Sequence, residues 1–238
     1  MTEAKTPNKK ESIKEFLESF KMASERKRLG MLTLLEERVD ELLGLKSSLM
    51  SGFDSDLCDW TPGFILQLIH KTDENFIKNN LDLEDLSWFS APSEVGFDYS
   101  PLQRDLLNQS YEDADRFTSS KLRKLAGEKA VKRGYVYFSE VESIPCTDLS
   151  TLNKLWIVYS RGKFGFTVQS KILDSVGGRY DKLWPRIGWK KDGVWTRYPK
   201  SFNWSIEAPN GHMPLVNQLR GVRLMDSLLN HQALIAKN

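Results

Sequence analysis

Glycine and proline recur so often in the second half of this chain that neither a long helix nor a regular sheet can run through it. Gly127, Gly134, Pro145, Gly162, Gly165, Gly177, Gly178, Gly188, Gly193, Pro199, Pro209, Gly211 and Pro214 punctuate it. Proline lacks a backbone donor and glycine gives up the most backbone freedom on folding, so each tends to end a regular element. Short helices fit between them. Helical patterns run from Tyr111 to Gly127, from Ser139 to Ile144 and from Asp148 to Ser160, where Leu149, Leu152, Leu155, Trp156 and Tyr159 share one face. Asp98-Tyr99-Ser100-Pro101-Leu102 reads as a capped helix start, and the stretch from Arg179 to Met213 as mostly non-helical and aromatic.

The first part of the chain follows a different rhythm. Ile13, Phe16, Leu17 and Phe20 fall on one stripe, and Leu32, Leu35, Val39, Leu42 and Leu43 repeat it, as in amphipathic helices packed together. Thr61-Pro62 then offers a hydroxyl cap and a proline for the first turn of a further helix. Between Leu81 and Gly96 the composition turns to Asp, Glu, Ser and Pro, although Trp88-Phe89 argues that this linker lies pinned on a domain. The fold class read from these patterns is all-α: a small helical bundle over residues 1–80, a linker over 81–96 and a second domain of short helices and long aromatic loops over 97–238.

Charge separates the same parts. Residues 1–97 hold 12 Lys/Arg against 18 Asp/Glu, and residues 98–238 hold 22 against 14, so the small overall net charge of +2 hides an acidic half and a basic one. A ligand surface in the basic half would favour anions. No apolar run approaches the ~20 residues of a membrane span, and Met1–Glu11 carries no export segment, which gives the cytosol as the expected compartment. Cys58 and Cys146 stand apart and read as small buried hydrophobes rather than as a disulfide or metal ligands.

Five of the seven tryptophans, Trp156, Trp184, Trp189, Trp195 and Trp204, lie in the second domain with Tyr180, Tyr198 and Phe202. Trp156 reads as core. The loop from Trp195 to Trp204 has few aliphatic neighbours and sits beside Lys191, Arg197 and Lys200, so ligand contact and plain packing both remain open there. On a helical wheel begun at Leu215, Leu219, Val222 and Leu229 form an apolar side. Arg220, Arg223 and Ser227 lie on one flank and Asn217 lies opposite, as a ligand face or a solvated one. Asp226 falls in the apolar stripe, either frayed toward water or paired with an arginine.

An aromatic loop joined to a helix with arginines suits a flat ligand with an apolar body and carboxylated edge. Single-stranded nucleic acid asks for similar parts and is the alternative. Motifs for catalysis are lacking: there is no phosphate-cradling loop, no H-E-x-x-H and no G-x-S-x-G. Glu140 and Glu142 point apart as capping or solvated charges, and His212 reads as a loop histidine bonding backbone rather than an axial metal ligand. The expectation is a protein that is not an enzyme, with no catalytic cofactor and no catalytic or metal residues.

Longer motifs carry a specific resemblance. Phe138-Ser139-Glu140-Val141-Glu142-Ser143-Ile144-Pro145, Leu183-Trp184-Pro185-Arg186-Ile187-Gly188-Trp189, Val194-Trp195-Thr196-Arg197-Tyr198-Pro199-Lys200, Ala208-Pro209-Asn210-Gly211-His212-Met213-Pro214 and Asn217-Gln218-Leu219-Arg220-Gly221-Val222-Arg223, with Phe164-Gly165-Phe166, closely resemble the genomes-uncoupled porphyrin-binding family, regulators of magnesium chelatase in chlorophyll synthesis. The resemblance spans about Phe97 to Asn230, and the preceding bundle is similar to the extra N-terminal domain of cyanobacterial members. It implies a cupped hand of short helices that binds protoporphyrin IX or magnesium protoporphyrin IX and stimulates the chelatase through its H subunit. It further implies a monomer that needs no nucleic acid and works in the cyanobacterial cytoplasm with peripheral attachment to membranes. The implied porphyrin contacts are Phe138, Val141, Ile144, Trp195, Tyr198, Asn217, Arg220 and Arg223. Two positions depart from the family: Tyr198 is often tryptophan, and Ser119 stands where some relatives carry a binding arginine, with Lys121 as the nearby substitute.

Overall fold

The computed structural model describes residues 11–45, 49, 53, 58–77, 91–216 and 222–235. It divides into two compact units, one of residues 1–52 and 68–86, the other of residues 53–67 and 87–238. In the first, α1 (Ile13–Met22), α2 (Glu25–Glu37) and α3 (Val39–Leu43) follow one another with breaks at Ala23 and Arg38. Ser12 begins α1 with a reciprocal cap: its hydroxyl accepts the Glu15 N–H at 3.3 Å while the Glu15 carboxylate accepts the Ser12 N–H at 2.9 Å. The expected stripe is the buried one, with Phe16, Leu17 and Phe20 facing Met31, Leu32 and Leu35 of the following helix. Arg28 closes the turn between them by donating to the carbonyls of Phe20 and Lys21.

Helix α4 (Thr61–Thr72) starts where Thr61-Pro62 predicts, but the cap comes from Asp59, whose carboxylate accepts the Thr61 N–H at 2.9 Å. Its first two turns belong to the second unit. Gly63 lies so close to Val158 that a Cβ there would sit 2.3 Å from the Val158 carbonyl oxygen. Gln67 donates from one buried amide nitrogen to the carbonyls of Leu106 and Tyr159, each at 2.8 Å. Residues 91–96 run along the same unit, where Ser93, the Glu94 N–H and the Tyr99 hydroxyl all donate to the buried carboxylate of Asp148. Trp88 and Phe89 lie outside the described residues.

The rest of the second unit is all-α apart from one short hairpin. Its elements are α5 (Ser100–Leu107), α6 (Tyr111–Leu125), α7 (Glu128–Arg133), a 3-10 helix (Phe138–Ser143), α8 (Cys146–Val158), α9 (Phe166–Ser175), α10 (Tyr180–Arg186), β1 (Lys190–Lys191), β2 (Val194–Trp195), α11 (Val222–Leu229) and α12 (Gln232–Ile235). Helix α8 is central: from Leu149 to Val158 it is buried on almost every side, so its apolar face is wider than one stripe. Trp156 stacks on Tyr111, meets Phe164 edge-on and donates its indole N–H to Thr118 at 3.0 Å. Tryptophan fits here because its polar edge finds an acceptor.

Within the stretch expected to be non-helical, Tyr180–Arg186 forms a helix, with Pro185 held to its last turn. Asp192 and Gly193, both at positive φ, then turn β1 into β2, as an Asp-Gly pair does in a two-residue hairpin. The two cysteines are half-buried rather than buried and remain free. Among the described residues no helix is long and apolar enough to cross a membrane.

Candidate functional site

A cavity of about 240 Å3 opens in the second unit between α6, the 3-10 helix and α11. The 3-10 helix packs along α11, and Glu140 fastens its start by accepting the Tyr137 N–H at 2.8 Å and pairing with Arg133 at 2.5 Å. That frame turns Val141 and Ile144 inward, where they form a buried apolar wall with Leu122, Val136 and Leu228, and Leu224 lies half-buried on the same cavity. Phe138, one 3-10 turn before Val141, stays 45% exposed and lies under the Arg223 guanidinium, 5.5 Å from its ring centroid. An exposed aromatic beside an apolar hollow is a place where a ligand can add buried area.

Of the residues implied by the resemblance, Val141, Ile144 and Tyr198 line the cavity, and Phe138 and Arg223 pair beside it. Trp195 is placed elsewhere among the aromatics: half-buried, it tilts against Trp184 at 5.6 Å, with the Lys190 ammonium 5.5 Å from its ring. Asn217 and Arg220 lie outside the described residues. The wheel drawn from Leu215 assumed one continuous helix, but Leu215 and Val216 are not helical and the described helix begins at Val222. Its buried stripe is therefore Met225, Leu228 and Leu229, while Val222 and Arg223 face outward. Asp226 lies off the buried stripe, exposed to solvent, and accepts the Tyr180 hydroxyl at 3.0 Å.

Three polar groups on the cavity wall come from α6. Asp115 is 1% exposed and accepts the Leu215 N–H at 2.6 Å. Burial pushes its pKa up to about 7 against the pull of that hydrogen bond and of the facing Tyr198 hydroxyl. One turn on, Ser119 accepts a hydrogen bond from Arg123 at 2.8 Å, and both residues line the cavity. Lys121 does not take this place. It points to the other side of α6, over the rings of Phe97 and Phe117. Asp115, Ser119, Leu122 and Arg123 stand at i, i+4, i+7 and i+8, the spacing of one helix face, and that was the signal in the sequence that marks them as a set.

The loop carrying the second aromatic cluster is held by buried polar bonds. Gln169 donates to the carbonyls of Gly211 and Pro214 at 3.0 and 2.9 Å, and Trp189 to that of His212 at 2.8 Å. His212 itself is a backbone clasp. Its Nδ1–H donates to the Ile187 carbonyl at 2.7 Å and its Nε2 accepts the Asn203 N–H at 3.3 Å, while burial lowers its pKa and favours this neutral form. Both ring nitrogens are thereby occupied. Among the described residues no three His, Cys, Asp or Glu side chains cluster as metal ligands would.

Comparison with known proteins matches this unit. The GUN4-like family model covers residues 92–232, which is more than half of the chain. The chain belongs to the GUN4-like family. Among its relatives, a Ycf53-like protein from Synechocystis sp. is 51% identical over 143 residues, 60% of this chain and 61% of that protein. The chloroplastic protein of Arabidopsis thaliana named tetrapyrrole-binding protein is 38% identical over 144 residues, 57% of this chain and 54% of that one. The match thus spans about three fifths of the length of these relatives. The structure of GUN4 from Chlamydomonas reinhardtii superposes with a TM-score of 0.57 at 38% identity, over 60% of this chain and 92% of that one. The ligand-free structure of Arabidopsis thaliana GUN4 gives 0.54 at 39% identity, over 58% and 99%. The all-α reading of this GUN4-like chain and its tetrapyrrole-binding kinship stand together on these matches.

Proposed function

We propose that this chain binds a porphyrin, protoporphyrin IX or its magnesium complex, without transforming it, and in that state stimulates magnesium chelatase through the H subunit. The observation that carries the reading is the apolar hollow of Val141, Ile144 and Tyr198 beside the exposed Phe138–Arg223 pair. It lies inside the region shared with a relative named for tetrapyrrole binding. At about 240 Å3 the hollow falls below the roughly 300–1,000 Å3 of sites that engulf a ligand, so a macrocycle would insert an edge and rest its face on the aromatic rim. Such a ligand draws most of its affinity from the apolar area it buries, at roughly 25 cal/mol per Å2 before the cost of association. On this reading the protein works as a monomer, beside the chelatase, in the cytoplasm and at the membrane surface.

The test is a titration of protoporphyrin IX and magnesium protoporphyrin IX against the purified protein, read by quenching of its tryptophans. Saturable quenching at micromolar ligand that changes little between low and high salt supports the reading. Its absence, or single-stranded nucleic acid binding instead with affinity falling steeply as salt rises, would replace it. Chelatase activity measured with and without the porphyrin-loaded protein tests the regulatory half.

A further inference from the structure

The α6 wall of the cavity holds a cation that pairs with no carboxylate among the described residues. Arg123 is half-buried and lines the cavity, and none of the ion pairs among the described residues involves it. The cations around it are engaged: Arg116 pairs with Glu112, Arg133 with Glu140, and Lys121 lies over Phe97 and Phe117. Side chains on a helix lean toward its N-terminus, so a residue covers the turn before its own. Arg123 follows that rule. Its guanidinium reaches back one turn to donate to the Ser119 hydroxyl at 2.8 Å, and the small serine leaves it room. One of five N–H donors is used in this way; the planar fork that remains suits a carboxylate, and the serine limits the rotamers it must give up on binding.

We propose that Arg123, steadied by Ser119, receives a carboxylate of the bound ligand at the α6 wall of the cavity, where neither the resemblance to the family nor Lys121 supplies a cation. The inference rests on the porphyrin reading and assigns one edge of that ligand. Arg223, exposed over Phe138 at the rim, then holds a different part of the ligand from Arg123 within.

The experiment compares protoporphyrin IX with its dimethyl ester, which keeps the macrocycle and removes both negative charges. Dissociation constants are measured by tryptophan quenching for the wild-type protein and for Arg123→Gln, Arg123→Lys and Ser119→Ala, each checked for an unchanged thermal melt. Arg123→Gln is expected to weaken the free acid by about tenfold, as a partly desolvated charge-assisted pair should, and to leave the ester within about twofold. Arg123→Lys and Ser119→Ala are expected to show smaller losses, again on the acid alone. Equal losses on acid and ester would make Arg123 a packing residue, and no loss on either would place the carboxylate elsewhere; both overturn the proposal. Should Arg123→Gln fail to fold, the same acid-to-ester comparison on Arg123→Lys and Ser119→Ala decides. A wild-type protein that binds neither acid nor ester overturns the porphyrin reading itself, a result distinct from either of these.

Discussion

The carboxylate of Asp115 accepts the backbone N–H of Leu215 at 2.6 Å, joining two points 100 residues apart in the chain. The Tyr198 hydroxyl faces the same carboxyl, so one side chain of α6 ties together the aromatic loop and the segment leading to α11. The tie is made in a buried place, and the cost of ionising there appears as the pKa of about 7.

That pKa fixes a sign. In the unfolded chain an aspartate loses its proton near pH 4, whereas Asp115 in the fold holds it to about 7. Between those values the native state binds more protons, so this group's contribution is complete below about pH 4 and is lost as the pH rises through 7, at up to roughly 1.4 kcal/mol per pH unit. Asp115→Asn keeps an oxygen for the Leu215 N–H and removes the titration. Its stability relative to wild type, from urea unfolding, should therefore improve from pH 5 to about pH 7 and level off above it. A difference that stays flat across that range would mean that Asp115 is not the buried acid described.

Gln67 makes the second prediction. It is 6% exposed, and its amide nitrogen serves two buried carbonyls, that of Leu106, which also takes the Gln109 N–H at 3.1 Å, and that of Tyr159, which also takes the Tyr111 hydroxyl at 3.3 Å. Losing two buried hydrogen bonds, at about 0.5–1.5 kcal/mol each, costs about 1–3 kcal/mol in all. Gln67→Leu should lower the unfolding free energy of the second unit by that amount, and a chain begun at Ser93, which lacks all of α4, should be less stable than one begun at Phe53. Equal denaturation midpoints for those two shortened chains would show that the front of α4 only rests on the unit without supporting it.

What the sequence disclosed and withheld follows the range of the interactions. Helices such as α6 and α8 were legible because their periodicity is local: the pattern from Tyr111 to Gly127 became Tyr111–Leu125, and Asp148 to Ser160 became Cys146–Val158. The buried face of α11 was misread because its phase was taken from Leu215, which is itself not helical. The role of Asp115 could not be read at all, since its partner is distant in sequence and an aspartate on a helix is usually solvated. Val141 and Ile144 came through the family motif, whereas Arg123 needed coordinates to show that it reaches back over Ser119.

Tyr198 stands 41% exposed at the cavity, at the position where the family resemblance implies tryptophan in many members. The larger ring offers a ligand more area but gives up the hydroxyl that faces Asp115. Tyr198→Trp should tighten porphyrin binding while lowering thermal stability, because the buried carboxyl loses a partner worth about 0.5–1.5 kcal/mol. Quenching titrations and melts on one preparation separate the two effects, and an affinity unchanged by the substitution would show that this ring does not touch the macrocycle.

The final prediction sets apolar against ionic contacts at the rim. Phe138 holds 45% of its surface open and would lose it to a macrocycle laid across it, a gain of about 1 kcal/mol or more from burial, with stacking in addition. Arg223 lies over the same ring from an exposed position, where screening limits an ion pair to about 0.2–1 kcal/mol. Arg223→Ala should thus raise the dissociation constant by at most about fivefold at low salt, and by less as salt rises. Phe138→Ala should cost about tenfold, nearly independent of salt. Trp195, packed against Trp184 and not on the lining of the hollow, makes the control: Trp195→Ala should lower the melting temperature more than it lowers affinity. Dissociation constants at two salt concentrations decide the order, and an Arg223 loss that exceeds the Phe138 loss at high salt would show that the rim recognises charge first, which stacking on Phe138 does not explain.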